Sequence, residues 1–295
     1  MEQLIQYLIN GLQAGSVYAL VALGYTMVYG IVKLLNFAHG DFIMVGAYVC
    51  LFSIPFLVGI GMPAWTCVIL AVVICSLLGV TVEKIAYKPL RGAGSLSVLI
   101  TAIAVSLLLQ NLFLLLFSSS PKPFPVVFNV GEIHIAGLKI SASTTWTILL
   151  SVAIMILLQV FIQKTKLGKA MRAVSEDSSA AVLMGINING TISLTFAIGS
   201  ALAAIASVMY CSAYPLADPY MGSMLGLKAF IAAVLGGIGS IPGAMVGGIL
   251  IGLIESMTKA YISSQLTDAV VFGILILVLL VKPTGIMGRN IGEKV

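Results

Sequence analysis

Two histidines, His39 and His134, are the only imidazoles in the chain, so a multi-histidine metal centre has no ligands to draw on. His39 stands two residues before Asp41 in NFAHGDF. An imidazole and a carboxylate that close together could relay a proton or hold a cation. The same residues also fit a plainer role, with Asp41 near a helix N-terminus at the edge of the membrane. Four cysteines, Cys50, Cys67, Cys75 and Cys211, lie in or beside apolar runs without metal-like spacing and read as small buried hydrophobes. Nucleotide chemistry is missing: Gly168-Lys169 is followed by Ala170 rather than Ser or Thr, and neither HExxH nor GxSxG occurs. Of the other ionisable residues near apolar runs, Lys228 is expected to snorkel outward and Glu255 to pair with Lys259 one turn on. No catalytic constellation remains. Uphill transport by such a chain must draw on an ion gradient or on a partner that hydrolyses nucleotide. With so few ionisable groups inside the spans, the partner is favoured.

The elements that would hold these residues are apolar. Hydrophobic residues make up 60% of the sequence and charged residues 8%, against about a quarter charged in soluble domains. The mean hydropathy is +1.14. The expectation is an all-α integral membrane protein, a polytopic helical bundle with about nine transmembrane spans of roughly 20 residues each. No loop leaves room for a soluble catalytic domain, so residues 1–295 form one membrane domain. The net charge of +5 is read as marking loops that stay in the cytoplasm, not nucleic-acid binding. MEQLIQYL lacks a basic n-region, and the apolar run after it is too long for a signal peptide, so it should remain as the first span.

Charges act as rulers for the spans. They fall near 4–30, two within 42–82 around a turn at Gly59, Gly61 and Pro63, then 96–117, 145–163 and 191–213. A further pair, 229–254, is interrupted by GGIGSIPG at 236–243 and either crosses twice or re-enters; the last span is 269–281, starting nearer Ser264. The loop 118–144 is Pro-rich and then strand-like, with little basic bias, which suits the outer face. Three basic clusters, Lys84–Arg91, Lys164–Arg172 and Lys282–Lys294, should share the cytoplasmic side. That places the N-terminus outside, the C-terminus in the cytoplasm, and both halves of 229–254 across the bilayer.

One polar stretch stands apart, KTKLGKAMRAVSEDSSAAVLMGININ at 164–189. From Lys169 to Met184 it holds neither Pro nor Gly, so one helix is expected, stopped by Gly185 and Asn187. Arg172 and Glu176 lie four apart on one face, in the weaker orientation for an ion pair. Such a helix cannot form a domain, but another protein can grip it. The glycine run offers two readings: close helix packing through small residues, or a broken helix lining a pathway with Gly236, Gly237, Gly239 and Gly243 as its hinge.

GKAMRAVSEDSSAAVLMGINI resembles the coupling segment of ABC-importer permeases, with Ala180-Ala181-x-x-x-Gly185 similar to their degenerate E-A-A-x-x-x-G loop and Ser179 where Glu would stand. Beside it, LLNFAHGDFIMVGAY (34–48), AFIAAVLGGIGSIPGAMVGGILIGLIE (229–255) and LVKPTGIMGR (280–289) resemble, in this order and over nearly the whole chain, the LivH-like branch of high-affinity branched-chain amino-acid permeases. The resemblance implies import of leucine, isoleucine and valine across the bacterial inner membrane. Related permeases carry amides or urea, and an ion-coupled secondary transporter is the rival from another class. It implies a second, LivM-like permease subunit, two cytoplasmic ATPases and a periplasmic binding protein. ATP and Mg would sit on the ATPases, with no cofactor on this chain. It also implies a cytoplasmic coupling helix over Lys169–Gly185 docked in one ATPase. Lys169, Arg172, Glu176, Asp177, Ala180 and Gly185 belong to that segment, and Met171, Val174, Ala181 and Met184 would supply its apolar surface. Asn36, His39 and Asp41 are a second candidate for the pathway. A neutral zwitterion with an apolar side chain needs no buried counter-charge there, only a smooth route lined by small residues.

Overall fold

The computed structural model describes residues 2–33, 36–128, 133–135 and 138–288. Leu34, Leu35, Arg289 and Lys294 of the segments above fall outside them. In chain order the helices are α1 (Glu2–Val32), α2 (His39–Gly59), α3 (Cys67–Val82), α4 (Ser95–Phe117), α5 (Ala142–Lys164), α6 (Lys166–Glu176), α7 (Ser178–Leu183), α8 (Ile188–Ala213), α9 (Met221–Gly236), α10 (Ile241–Tyr261) and α11 (Thr267–Val281). Helix α3 continues through a π turn, Glu83–Tyr87, and a 3₁₀ turn, Lys88–Leu90, so its apolar helix runs over Ala64–Leu90. Among the described residues, seven helices are long and apolar enough to cross a membrane; α9 and α11, at 16 and 15 residues, are shorter apolar helices. The strand-like loop forms a hairpin, β2 (Ile133–Ile135) antiparallel to β3 (Leu138–Ile140). A second short pair joins β1 (Lys122–Pro123) to β4 (Leu216–Ala217).

Helix α1 is the core. Its apolar window is 78% buried against 22% for α4, so α1 is wrapped by other helices while α4 shows most of its surface to the surroundings. Helix α10 runs antiparallel along α1 because glycines let the backbones meet: a Cβ at Gly15 would lie 2.8 Å from Ile249 Cα, and one at Gly252 would overlap the backbone of Gly15. Small residues allow such approach where lipid supplies no hydrophobic drive between helices. Helices α9 and α10 are antiparallel too, with Gly236 facing Gly243 and Ala232 facing Gly247. The chain turns between them on Gly237 (φ +107°) and Gly239 (φ +90°), values that disfavour any side chain. The Ser240 hydroxyl caps α10 by accepting from the Gly243 amide at 3.2 Å, and Pro242 sits in its first turn.

All four cysteines are buried and free, as their apolar settings implied.

Candidate functional site: a buried polar node and an exposed lever

The basic segments share one end of the bundle. Arg91 ion-pairs with Glu83 and donates to Asn189 Oδ1 at 2.5 Å, tying the end of α3 to the first turn of α8. Ser193 donates to the same Glu83 at 2.6 Å. Residues after α11 lie against the α9–α10 turn, with the Ile286 amide donating to Leu235 O at 2.8 Å and Met287 to Gly236 O at 2.9 Å. A cleft of ≈70 Å³ at this end is bordered by α1 at Thr26 and Gly30, by Met171 and Arg172, and by Gly239 and Ile241.

The polar stretch is two helices, not one. Asp177 adopts an extended conformation (φ −153°, ψ 106°) and its carboxylate accepts from the Ala180 amide at 3.0 Å, starting α7. A short acidic side chain does more for the chain as an N-cap than inside a helix, and this breaks the single helix expected over Lys169–Met184. The expected stop holds: Gly185 (φ +78°) donates to Val182 O at 2.9 Å and Ile186 to Ala181 O at 3.0 Å, a Schellman ending. Arg172 donates to Gln163 O at 3.4 Å instead of pairing with Glu176.

The apolar side of this segment is also corrected. Met171, Val174 and Ala181 are buried within the chain itself. They fasten α6 and α7 to the bundle and offer a partner nothing, because the amphipathic stripe of α6 is satisfied by α1, α5 and α8. Outward-facing residues are Lys169, Arg172, Glu176, Asp177, Ala180, Gly185 and Met184, the last named from the sequence and 81% exposed, together with an apolar neighbour the sequence reading missed, Leu183, 88% exposed and beside Val182. Once a break at Asp177 is allowed, the i+6 spacing from the cap to Leu183 would have flagged it.

At the centre of the bundle, α2 begins deep inside. His39 lies between Gly24 of α1 and Gly199 of α8, where a Cβ at Gly24 would overlap the imidazole. Gly24 precedes the end of α1 by eight residues and Gly199 follows the start of α8 by eleven, depths of about 12 and 16 Å at ~1.5 Å per residue. The chain therefore turns back into the bundle between Val32 and His39, and NFAHGDF does not sit at the membrane edge. Local hydropathy could not show this, since the re-entry is fixed by contacts of Gly40 with Gly222 and Gly226 of α9.

Asn36, His39 and Asp41 of that segment are fully buried, each held by a different neighbour. Asn36 Oδ1 accepts from Tyr87 OH at 2.6 Å. His39 meets the Tyr25 ring edge-on at 4.6 Å. Asp41 Oδ1 accepts from Gln110 Nε2 at 2.9 Å, and Gln110 also lies within 3.0 Å of Ser223 Oγ and 3.1 Å of Ser106 Oγ. This node links α2, α4 and α9. His39 Nε2, Asp41 Oδ2 and Asn36 Nδ2 have no hydrogen-bond partner among the described residues, an expensive state for polar atoms away from water. Gln110, Ser106 and Ser223 were not singled out from the sequence. The signal for Gln110 was an amide pair, Gln110-Asn111, in an otherwise apolar stretch of α4.

Of the glycine run, Gly236 and Gly243 are buried against each other, and Gly237 packs on Gly288. Gly239 is exposed with open space around it. These glycines close a helix–helix contact and its turn, so packing is the reading the structure favours, and Gly239 lines no buried route.

Glycine-packed apolar helices, a polar node at mid-depth and an outward lever at the basic end define a multi-pass helical membrane protein. The family described as "Branched-chain amino acid transport system / permease component" matches residues 7–280, and the chain belongs to that family. It is 45% identical over 300 residues to the high-affinity branched-chain amino acid transport system permease protein BraD of Pseudomonas aeruginosa, covering 99% of this chain and 98% of that one. It is equally 45% identical to the LivH permease of Escherichia coli K12, covering 99% and 97%. A probable LivH of Methanocaldococcus jannaschii is 32% identical over 91% of this chain and 88% of its own.

Proposed function

We propose that this chain is one half of the membrane pore of an ATP-binding-cassette importer that carries leucine, isoleucine and valine across the bacterial inner membrane. Its partners are a second homologous, LivM-like permease, two cytoplasmic ATPases that bind ATP and Mg and hydrolyse the nucleotide, and a periplasmic binding protein that delivers the substrate. The basic end faces the cytoplasm. All nine apolar helices cross, with the short α9 and α11 braced against the longer α10, so the N-terminus lies outside and the C-terminus inside. Near-full-length identity to branched-chain permeases supports the substrate class.

The observation that carries the mechanism is Leu183 and Met184, nearly fully exposed at the tip of a capped two-helix lever on the basic end. Two large apolar side chains held there fit a cleft in a partner subunit, and with Met171, Val174 and Ala181 anchoring the lever, force on the tip passes into α1, α5 and α8. The node at Asn36, His39 and Asp41 borders the substrate route on this reading. To test it, the chain is co-purified with its ATPases and companion permease, with Leu183→Asp and Met184→Asp combined. The expected result is loss of ATPase co-purification and of leucine uptake, with the permease still inserted in the membrane. Unchanged co-purification would show that the lever rests on lipid headgroups instead. Leucine uptake by the isolated chain, driven by a proton gradient without ATPases, would overturn the reading in favour of a secondary transporter.

A further inference from the structure

At the end opposite the basic segments, α1 and α8 part to leave a cavity of ≈220 Å³. Its mouth is marked by Asn10 and Tyr214, both exposed, and its floor by Val17 and Tyr18, both buried. Two of its polar groups are oriented from behind. Tyr18 donates its hydroxyl hydrogen to Glu255 at 2.6 Å, which leaves the phenol oxygen as an acceptor. Gln13 accepts from Thr144 Oγ1 at 2.8 Å through its Oε1, which leaves its amide NH₂ as a donor. Tyr210 and Tyr214 form one wall, their ring centroids 5.0 Å apart. Ala14, Val17 and Ala213 complete the lining, which holds no charged side chain. Behind Tyr18, Glu255 and Asp268 are balanced by Lys228 and Lys259, so the site is neutral to its second layer.

We propose that this cavity is an outward-facing binding site for a single α-amino acid zwitterion with a short apolar side chain, occupied between delivery from outside and translocation. This rests on the import reading above and adds a substrate contact within the permease itself. The Gln13 amide donates to the ligand carboxylate. The ammonium lies against the phenol oxygen of Tyr18 and the electron-rich faces of Tyr210 and Tyr214, which attract a cation. The ligand side chain rests on Ala14, Val17 and Ala213. A volume just below the roughly 300–1,000 Å³ of drug-sized pockets suits one amino acid and not a peptide. Ligands with a net charge are rejected because nothing in the lining compensates them. Selectivity for small apolar zwitterions is then built twice, once in the delivering protein and once here.

The test uses the assembled permease–ATPase complex in proteoliposomes without the binding protein. A cysteine is placed at the cavity wall as Ala213→Cys, with Ala14→Cys as a second variant should the first fail to assemble. Ile60→Cys, on the exposed turn after α2, is the control. A membrane-impermeant maleimide is applied from outside. Millimolar leucine is expected to slow labelling of the cavity cysteine at least fivefold and to leave Ile60→Cys unaffected, while lysine and glutamate slow labelling of neither cysteine. Adding Gln13→Leu should raise the leucine concentration needed for protection about tenfold. Equal labelling with and without leucine overturns the proposal. So does a cavity cysteine that never labels while Ile60→Cys does, because the site is then covered. Labelling needs no turnover, so absence of leucine uptake by the unmodified complex once its binding protein is supplied would refute the import reading separately.

Discussion

Tyr18 of α1 donates a 2.6 Å hydrogen bond to Glu255 of α10, joining residues 237 positions apart inside the bundle. Glu255 accepts in addition from Lys259 at 2.6 Å and Lys228 at 3.2 Å, and Lys228 reaches Asp268 of α11 at 2.8 Å. The pairing of Glu255 with Lys259 follows from their spacing, but Lys228 turns inward to two carboxylates and does not snorkel. One buried carboxylate thereby joins α1, α9 and α10, and Lys228 extends the network to α11 through Asp268.

Removing that carboxylate leaves the half-exposed Lys259 ammonium unpaired, the nearly buried Lys228 with Asp268 alone, and the buried Tyr18 hydroxyl without its acceptor. Breaking a buried pair on one side costs about 3–5 kcal/mol. Glu255→Ala is expected to lower the thermal midpoint of the detergent-solubilised protein by roughly 5–10 °C, and adding Lys228→Met should restore part of the loss. Thermal unfolding followed by tryptophan fluorescence or circular dichroism gives the answer; an unchanged midpoint would mean that the network contributes nothing to stability.

Backbone contact between α1 and α10 leaves no room for a side chain at Gly252, whereas Gly273 on α11 faces open space. Gly252→Val should destabilise by at least the ~1–3 kcal/mol of an overpacked core and reduce the yield of monodisperse protein severalfold. Gly273→Val should purify like the parent. Size-exclusion profiles compare the two directly, and equal profiles would remove close packing as the reason for glycine at Gly252.

Asp177 separates α6 from α7 by capping the second helix. Replacing it with Ala costs about 1 kcal/mol of cap stability, while Asn caps nearly as well. In the assembled complex, Asp177→Ala should weaken leucine-stimulated ATPase activity severalfold and Asp177→Asn should leave it within twofold. Equal defects would assign the role to the charge of Asp177 and not to its cap.

Gln110 satisfies one oxygen of the buried Asp41. Gln110→Leu leaves that oxygen without its donor, a loss of about 1–3 kcal/mol, and should lower both stability and leucine uptake; Gln110→Glu should be worse, since it sets a second acidic group against the first. In ATP-loaded proteoliposomes a protonophore should leave uptake by the parent unchanged. A collapse of uptake on adding the protonophore would make Asp41 part of an ion-coupling site.

How much of this was legible beforehand differs by element. The spans were readable to within a few residues because partition into lipid is set by local apolar composition, and α4, α5 and α8 lie close to the predicted 96–117, 145–163 and 191–213. The stop at Gly185 and the turn at Gly237–Gly239 were readable for a similar reason: a positive φ is a demand on one residue. Met171, Val174 and Ala181 were recognisable as an apolar stripe, but which partner the stripe meets is not a property of the stripe.

By itself, then, the sequence determined a lipid-soluble helical body, its basic end and the place of its polar lever, all consequences of side chains meeting solvent or lipid within a turn or two of themselves. Only the tertiary structure decided that α2 starts at mid-depth, that Asp41 lies against Gln110 and Ser223, that Lys228 faces Glu255 and Asp268, and that Leu183 and Met184 form the free tip. The depth of α2 depends on glycines of α1, α8 and α9 that lie far apart in the chain, and the rest on contacts between helices that spacing along the sequence does not record.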